Sequence, residues 1–301
     1  MQAFDYARPA TTAEAVALLT RHGDQARILA GGTDFVVRLR HGIETPGVVV
    51  DIKGLTDLPA DVTEGGGSVR IGATAVMADL CRHPVLRARF PALVEAMSVV
   101  GSIQIRNRAT LAGNVCHASP AADTAPALLV HDARLVIAGT GGERRMPLSE
   151  FVLGPGRTAL GTAEIVTAAE LPVPARPLGT AFARMTRRRG VDLATISVCC
   201  SVDADGVTRL GCGAAAPVPF LVTDISGILA DVNPPGPARD VALDRLIAQA
   251  RPISDVRASR EYRLAMLRVL SRRALLAAAQ RLAASQNGKA RTGGADRGDR
   301  A

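Results

Sequence analysis

Apolar side chains recur along this chain in two rhythms, one near 3.6 residues and one of two, and their order predicts the elements. Residues 12–22 place Ala15, Val16, Leu18 and Leu19 on one helical face. Thr11-Thr12-Ala13-Glu14 before them has capping-box spacing, and Gly23 after them suits a C-terminal cap. Arg27-Ile28-Leu29-Ala30 then reads as a short strand that stops at Gly31-Gly32-Thr33-Asp34. Phe35, Val36 and Leu39 have helical spacing, and 47–52 is a second strand. The segment is a β-α-β arrangement with a glycine turn.

A second region opens after Glu64-Gly65-Gly66-Gly67, a hairpin or linker. It predicts a strand over 69–73, a short helix capped by Thr74 and ending near Arg82, and a break at His83-Pro84. Leu86, Phe90, Leu93, Val94 and Met97 predict one amphipathic helix over 85–98. Residues 99–123 are rich in small side chains and lack a period, so they read as a loop that serves a site. A helix over 124–131 and strands over 134–138 and 164–171 follow, and prolines 172 and 174 open the preferred boundary.

The third region predicts an antiparallel meander over 180–187, 193–203 and 207–212, joined through Asp203-Ala204-Asp205-Gly206. Helices over 240–250 and 258–285 would cover it, the latter turning Leu264, Leu267, Leu270, Leu275 and Leu276 to the core. The fold class is therefore α+β: a two-part N-terminal region, with a small βαβ-type unit (1–55) and an α/β middle unit (56–175). A C-terminal antiparallel sheet covered by helices (176–285) and a disordered tail (286–301) complete it.

Composition narrows the function. At 301 residues, with 48% hydrophobic and 21% charged side chains, the chain can bury more than one core. The charge-free stretches 109–122 and 210–223 are broken by Gly or Pro and fall short of the roughly 18 residues of a membrane helix. The opening residues, MQAFDYARPATTAEA, show neither a secretory signal nor a transit pattern, so a cytoplasmic location is expected. Five cysteines without CxxC spacing and five histidines without HExxH argue against a zinc or iron–sulfur site, so no metal is assigned. The net charge of +8 suits an anionic ligand or an acidic partner, or is simply an arginine-rich composition. With no Trp and eight Phe plus Tyr, stacking on single strands has little to work with, and nucleic acid is not expected as a partner.

Two segments carry candidate chemistry. In Ala30-Gly31-Gly32-Thr33-Asp34, paired glycines allow close backbone approach and the N–H groups at the following helix start can bind an anion. An ordinary strand-to-helix turn capped by Thr33 or Asp34 has the same appearance. The motif is neither GxGxxG nor GxxxxGK[ST], so a standard Rossmann site and a P-loop lose support. The second segment, Gln104-Ile105-Arg106-Asn107-Arg108-Ala109-Thr110-Leu111-Ala112-Gly113-Asn114 running on to Ala118-Ser119-Pro120-Ala121-Ala122-Asp123, suits a long polar ligand. Asp123 could be a helix cap and Arg187, Arg188 and Arg189 a solvated face. No GxSxG elbow is present, and no catalytic side chain is assigned.

In that order, AGGTD, IGATAVMADL, QIRNRATLAGN and ASPAADTAP resemble the FAD-binding (medium) subunits of the xanthine dehydrogenase and carbon monoxide dehydrogenase family of molybdenum hydroxylases. FVLGPGRTAL, EIVTAAELP and FARMTRRRGVDLA extend the resemblance to all but the tail after about 286. It implies FAD held between the first two units, with its pyrophosphate against two glycine-containing loops. Ile28, Leu29, Ala30, Gly31, Gly32, Thr33 and Asp34 would form the first loop, and Thr110, Gly113 and Asn114 the second. Asp123 would be a polar contact, Val166 an apolar neighbour, and Arg184 stands where the family often has Lys. Two positions depart: Ala112 replaces the first glycine of Gly-Gly-Asn, and Ser102 stands where an acidic residue is expected.

The resemblance further implies an electron-transfer oxidoreductase subunit. It would take electrons from iron–sulfur clusters of a partner subunit and pass them through FAD to NAD, a quinone or oxygen. An iron–sulfur small subunit and a molybdopterin large subunit would complete a heterotrimer, possibly dimerised. The alternatives are a non-catalytic assembly or binding protein of the same fold, or a self-contained flavoenzyme. The organic substrate is set outside this chain in such a family.

Overall fold

The computed structural model describes residues 2–58, 60–231 and 236–293, with side chains through 286. Its first sheet is parallel, with strand Val48–Asp51 between Asp5–Ala7 and Ala26–Leu29. Every residue of the central strand is buried, as expected of an apolar run covered on both faces. Helix Thr12–His22 begins at Thr11, whose side chain accepts from the Glu14 N–H at 3.2 Å, while Glu14 accepts from the Ala10 N–H at 2.8 Å. Such a cap contributes about 1 kcal/mol, and Gly23 ends the helix at φ 52°.

The second sheet is antiparallel, in the order Val62–Gly65, Ser68–Gly72, Ile165–Pro172, Arg134–Gly139, Gly142–Pro147. Between Gly72 and Arg134 the chain builds a helical layer that differs from the expected one. The single helix over 85–98 is two helices, Pro84–Arg89 and Pro91–Ser98. Pro91 disfavours the helical region for Phe90, which sits at φ −132° between them. Thr74 is not a cap, since helix Met77–Leu80 starts after Val76 with the Met77 N–H donating to the Ala109 carbonyl at 2.8 Å. The expected loop over 99–123 contains helices Ile103–Arg106 and Leu111–Cys116, too short to show a period.

The third sheet is the expected meander with one more strand: Leu178–Met185, Ile196–Asp203, Thr208–Gly213 and Phe220–Asp224. Val198, Cys200, Leu210 and Cys212 join the core that includes Leu267, Leu270 and Leu275 of helix Arg260–Gly293. Leu276, expected in that core, is 45% exposed, because the step from Leu275 turns it to solvent. Gly211 and Gly213 face the other way, against Pro126 of helix Thr124–Val130. The long helix continues to Gly293, past the expected end of order at 285, because no proline interrupts it; residues 294–301 lie outside the described residues.

Two contacts tie the C-terminal sheet down. Gly179 approaches the long helix so closely that a Cβ there would lie 2.0 Å from the Ala278 carbonyl oxygen. Glu95, on helix Pro91–Ser98, accepts from the Phe182 N–H at 3.1 Å and pairs with Arg281, whose guanidinium also donates to the Thr180 carbonyl at 2.6 Å. Glu95 thus occupies the free edge of the strand that carries Arg184.

His131 follows helix Thr124–Val130 and is buried edge-on against Phe90, ring centroids 4.9 Å apart, with neither nitrogen hydrogen-bonded. Burial pushes its pKa down to about 4; Asp132 pulls it up and Arg209 adds to the fall. The folded state therefore binds its proton less readily than the unfolded chain. Its stabilising contribution is full above the ordinary value near 6.5 and is lost as pH falls toward about 4.

Gly179→Ala is expected to destabilise the fold by about 3 kcal/mol, the upper end for overpacking against backbone. Gly154→Ala, with nothing within 4 Å of the added carbon, should leave the thermal midpoint nearly unchanged. His131→Leu should flatten the loss of stability between pH 6.5 and 4, worth on the order of 3 kcal/mol. Thermal scans across that range check it, and an unchanged acid limb would show that other groups govern it.

Candidate functional site

The two segments singled out by sequence meet in space. Gly31 touches the backbone of the second segment: a Cβ at Gly31 would lie 2.1 Å from the Arg108 carbonyl oxygen and 3.0 Å from Ala109 Cα. Only glycine permits that approach. Gly32, at φ +75°, turns the chain into helix Phe35–Arg40, and Ile28 and Leu29 lead into the turn from strand Ala26–Leu29. Ala30, Gly31, Gly32 and Thr33 are half-buried and Asp34 is exposed.

Across this contact, the Thr110 side chain caps helix Leu111–Cys116 by accepting from the Gly113 N–H at 3.0 Å. Asn114 Oδ1 accepts from the Thr124 hydroxyl at 2.7 Å, which leaves its amide nitrogen as a donor. Ala112 lies inside the helix, with negative φ, so its methyl replaces a glycine hydrogen without backbone strain. Ser102 caps helix Ile103–Arg106, accepting from the Ile105 N–H at 3.2 Å. Both departures from the family pattern thus have a place in local structure.

The third contribution comes from Asp123, immediately before the buried helix Thr124–Val130. Arg184 Nη1 donates to Asp123 Oδ2 at 2.7 Å, joining the middle and C-terminal sheets' layers. Asp123 Oδ1 is buried without a hydrogen-bond partner. Burial pushes the Asp123 carboxyl up to about 6, against the opposing pull of the Arg184 guanidinium. An unpartnered buried carboxylate oxygen calls for an explanation such as a bound water, ion or ligand donor. Val166 is buried on strand Ile165–Pro172, against which helix Leu111–Cys116 packs.

Sequence reasoning missed His117. Its Nδ1 lies 3.0 Å from Asp34 Oδ2, so it links the end of the second loop to the end of the first. No motif announces that pairing, since 83 positions separate the partners in the chain. Just beyond it, Ala118 sits at φ 50°, a left-handed conformation that costs a non-glycine residue about 1 kcal/mol or more. Its carbonyl accepts from the Gly156 N–H at 3.0 Å and the Pro120 carbonyl accepts from the Ala214 N–H at 2.6 Å. The strained loop is thereby pinned from both the middle unit and the C-terminal sheet.

A cavity of about 750 Å³ lies elsewhere, between helix Thr12–His22 and the turn at Gly139–Gly142, and none of the candidate site residues lines it. Among the described residues no group of three or more His, Cys, Asp or Glu could hold a metal ion. No described helix is long and apolar enough to cross a membrane. The site brings together three glycines (31, 32 and 113), the Asn114 amide and one carboxylate–guanidinium pair. Such a set suits an extended polar ligand and has no nucleophile of its own.

The chain is similar to known proteins over most of its length. Residues 2–174 match the FAD binding domain in molybdopterin dehydrogenase, and residues 180–278 match the CO dehydrogenase flavoprotein C-terminal domain. The xanthine dehydrogenase FAD-binding subunit of Escherichia coli O157:H7 is 32% identical over 280 residues, spanning 90% of this chain and 96% of the relative. The carbon monoxide dehydrogenase medium chain of Hydrogenophaga pseudoflava is 31% identical over 284 residues, 93% of this chain and 98% of that one. Among solved structures, carbon monoxide dehydrogenase from Hydrogenophaga pseudoflava superposes with a TM-score of 0.84 at 29% identity, covering 93% of this chain and 98% of the other. Quinoline 2-oxidoreductase from Pseudomonas putida 86 superposes at 0.83 with 26% identity, covering 93% and 98%. The chain therefore belongs to the family of FAD-binding oxidoreductase subunits of xanthine dehydrogenase and carbon monoxide dehydrogenase type.

Proposed function

We propose that this chain binds FAD in the cradle at Gly31 and Asn114 and serves as the electron-transfer subunit of a molybdenum hydroxylase complex. The observation that carries the reading is the contact of Gly31 with the Arg108 backbone, which brings the two glycine-containing segments together. The residues fit the cofactor: two loops offer N–H donors to a pyrophosphate, and the unpartnered Asp123 oxygen can accept from a hydroxyl or N–H group of the cofactor. Bound FAD supplies the redox chemistry, exchanging electrons between an iron–sulfur donor and NAD, a quinone or oxygen.

The protein groups have positioning tasks. Ile28, Leu29 and Ala30 deliver the first loop, and Gly31, Gly32, Thr33 and Asp34 present its backbone. Thr110 and Gly113 hold the second helix start in place while Asn114 contributes its amide nitrogen. Arg184 fixes Asp123 at the third wall, and Val166 backs the cradle with apolar surface. An iron–sulfur small subunit and a molybdopterin large subunit are the partners in this reading, in the cytoplasm. The units 1–55, 56–175 and 176–285 would then each supply one wall of the cofactor site.

Purified protein is expected to show the absorbance of oxidised flavin and to release FAD, identified by mass, on heating. Gly31→Val should lower FAD occupancy at least tenfold, because the side chain meets backbone. Asn114→Ala should lower affinity roughly tenfold through one lost polar partner. Full flavin retention in both variants would remove these loops as the cradle. His117→Ala should speed FAD release about two- to fivefold in stopped-flow fluorescence, the size of one exposed pair.

A further inference from the structure

Two loops at one end of the C-terminal sheet display apolar side chains that neither core uses. The loop over 186–195 exposes Val191 (53%) and Leu193 (58%), and the segment 251–259 exposes Ile253 (62%) and Val256 (92%). The loops are locked together. Arg263, itself only 2% exposed, donates to the Thr195 carbonyl at 2.6 Å from one loop and to Asp255 Oδ1 at 2.7 Å from the other. Arg187 adds a bond to the Val256 carbonyl at 3.3 Å, and the Thr195 N–H closes its loop on the Met185 carbonyl at 2.8 Å. A buried arginine spent on holding two solvent loops in register gives a surface of fixed shape, ordered before any partner arrives.

The charge around this apolar centre is one-sided. Between them, 186–195 and 251–263 carry seven arginines against three carboxylates, Asp192, Asp255 and Glu261. Asp192 is taken by Arg187, and Asp255 by Arg257 and Arg263. Arg188, Arg189 and Arg260 have no carboxylate within 4.0 Å among the described residues. Exposed aliphatic side chains ringed by arginine are the anatomy of a protein interface, with the rim selecting an acidic partner. A second copy of this chain would bring like charge against like. A bilayer surface would favour interfacial Trp and Tyr, and the two loops contain neither.

We propose that this face docks an acidic protein subunit of the assembled complex, with Val191, Leu193, Ile253 and Val256 as its apolar anchors. The inference rests on the multi-subunit reading given above. It adds the location: the loop begins two residues beyond Arg184, so the docked subunit sits at the Asp123–Arg184 wall of the cradle.

The test compares the complex, purified from its native cells through a tag on this chain, with the isolated chain by hydrogen–deuterium exchange. Amides of 186–195 and 251–259 are expected to exchange at least tenfold more slowly in the complex. Arg188→Glu combined with Arg189→Glu, and separately Val256→Asp, should each lower the co-purified acidic subunit at least tenfold while leaving the thermal midpoint and flavin content of the isolated chain unchanged. Equal exchange in both preparations, or full recovery of subunits with both variants, overturns the proposal and leaves the electron-transfer reading standing. Binding of the wild-type chain to phosphatidylglycerol vesicles, lost in the variants, would overturn it in favour of a membrane surface. A wild-type chain that purifies with flavin but with no other subunit overturns both readings.

Discussion

The short helix Thr124–Val130 is enclosed on every side, and the arrangement of the molecule depends on that enclosure. It has no polar face to keep in water, because Thr-Ala-Pro-Ala-Leu-Leu-Val offers only the Thr124 hydroxyl, and Asn114 accepts from it. The third sheet comes down upon it through Gly211, where a Cβ would stand 2.3 Å from the Pro126 carbonyl oxygen. Ser197, Cys199 and Gly213 share that face of the sheet, all small enough to let strand and helix backbones approach. The middle and C-terminal units therefore share a wall.

Both ends of this helix inherit its burial, with opposite electrostatic results. Asp123 precedes it and is held up near 6 by lost hydration, yet Arg184 and the helix N-terminus keep a charge there tolerable. His131 follows it and, with no hydrogen-bond partner, stays neutral. One end is a carboxylate paired on one oxygen and unpartnered on the other; the other is a core residue that happens to titrate. Burial alone does not distinguish a site from a core.

The proposed cradle is assembled by contacts among distant parts of the chain. Gly31 meets Arg108, Asp34 meets His117, Asp123 meets Arg184, and Glu95 holds the strand that carries Arg184. The N-terminal sheet, the helical layer and the C-terminal sheet each supply one wall. Ala118 and Ala214, at φ 50° and 55°, are held in left-handed conformations where those walls join. That strain is local, and the packed sheets around it hold it in place.

By itself, the sequence determined which segments are helices and strands wherever the apolar period ran long enough: 12–22, the central strand near 48–51, the C-terminal meander and the long final helix. It also carried the family resemblance, through the order AGGTD, TLAGN, ASPAAD. Tertiary structure alone decided the rest. Helices of four to six residues, such as Ile103–Arg106 and Leu111–Cys116, leave no periodic trace and form because the Ser102 and Thr110 caps and the surrounding core support them. The fully parallel and antiparallel pairings, the turn of Leu276 to solvent and the partnership of His117 with Asp34 depend on residues far apart in the chain. Local pattern reports what a segment can bury; which distant backbone it meets, and which polar atom is left without a partner, is settled only when the sheets pack.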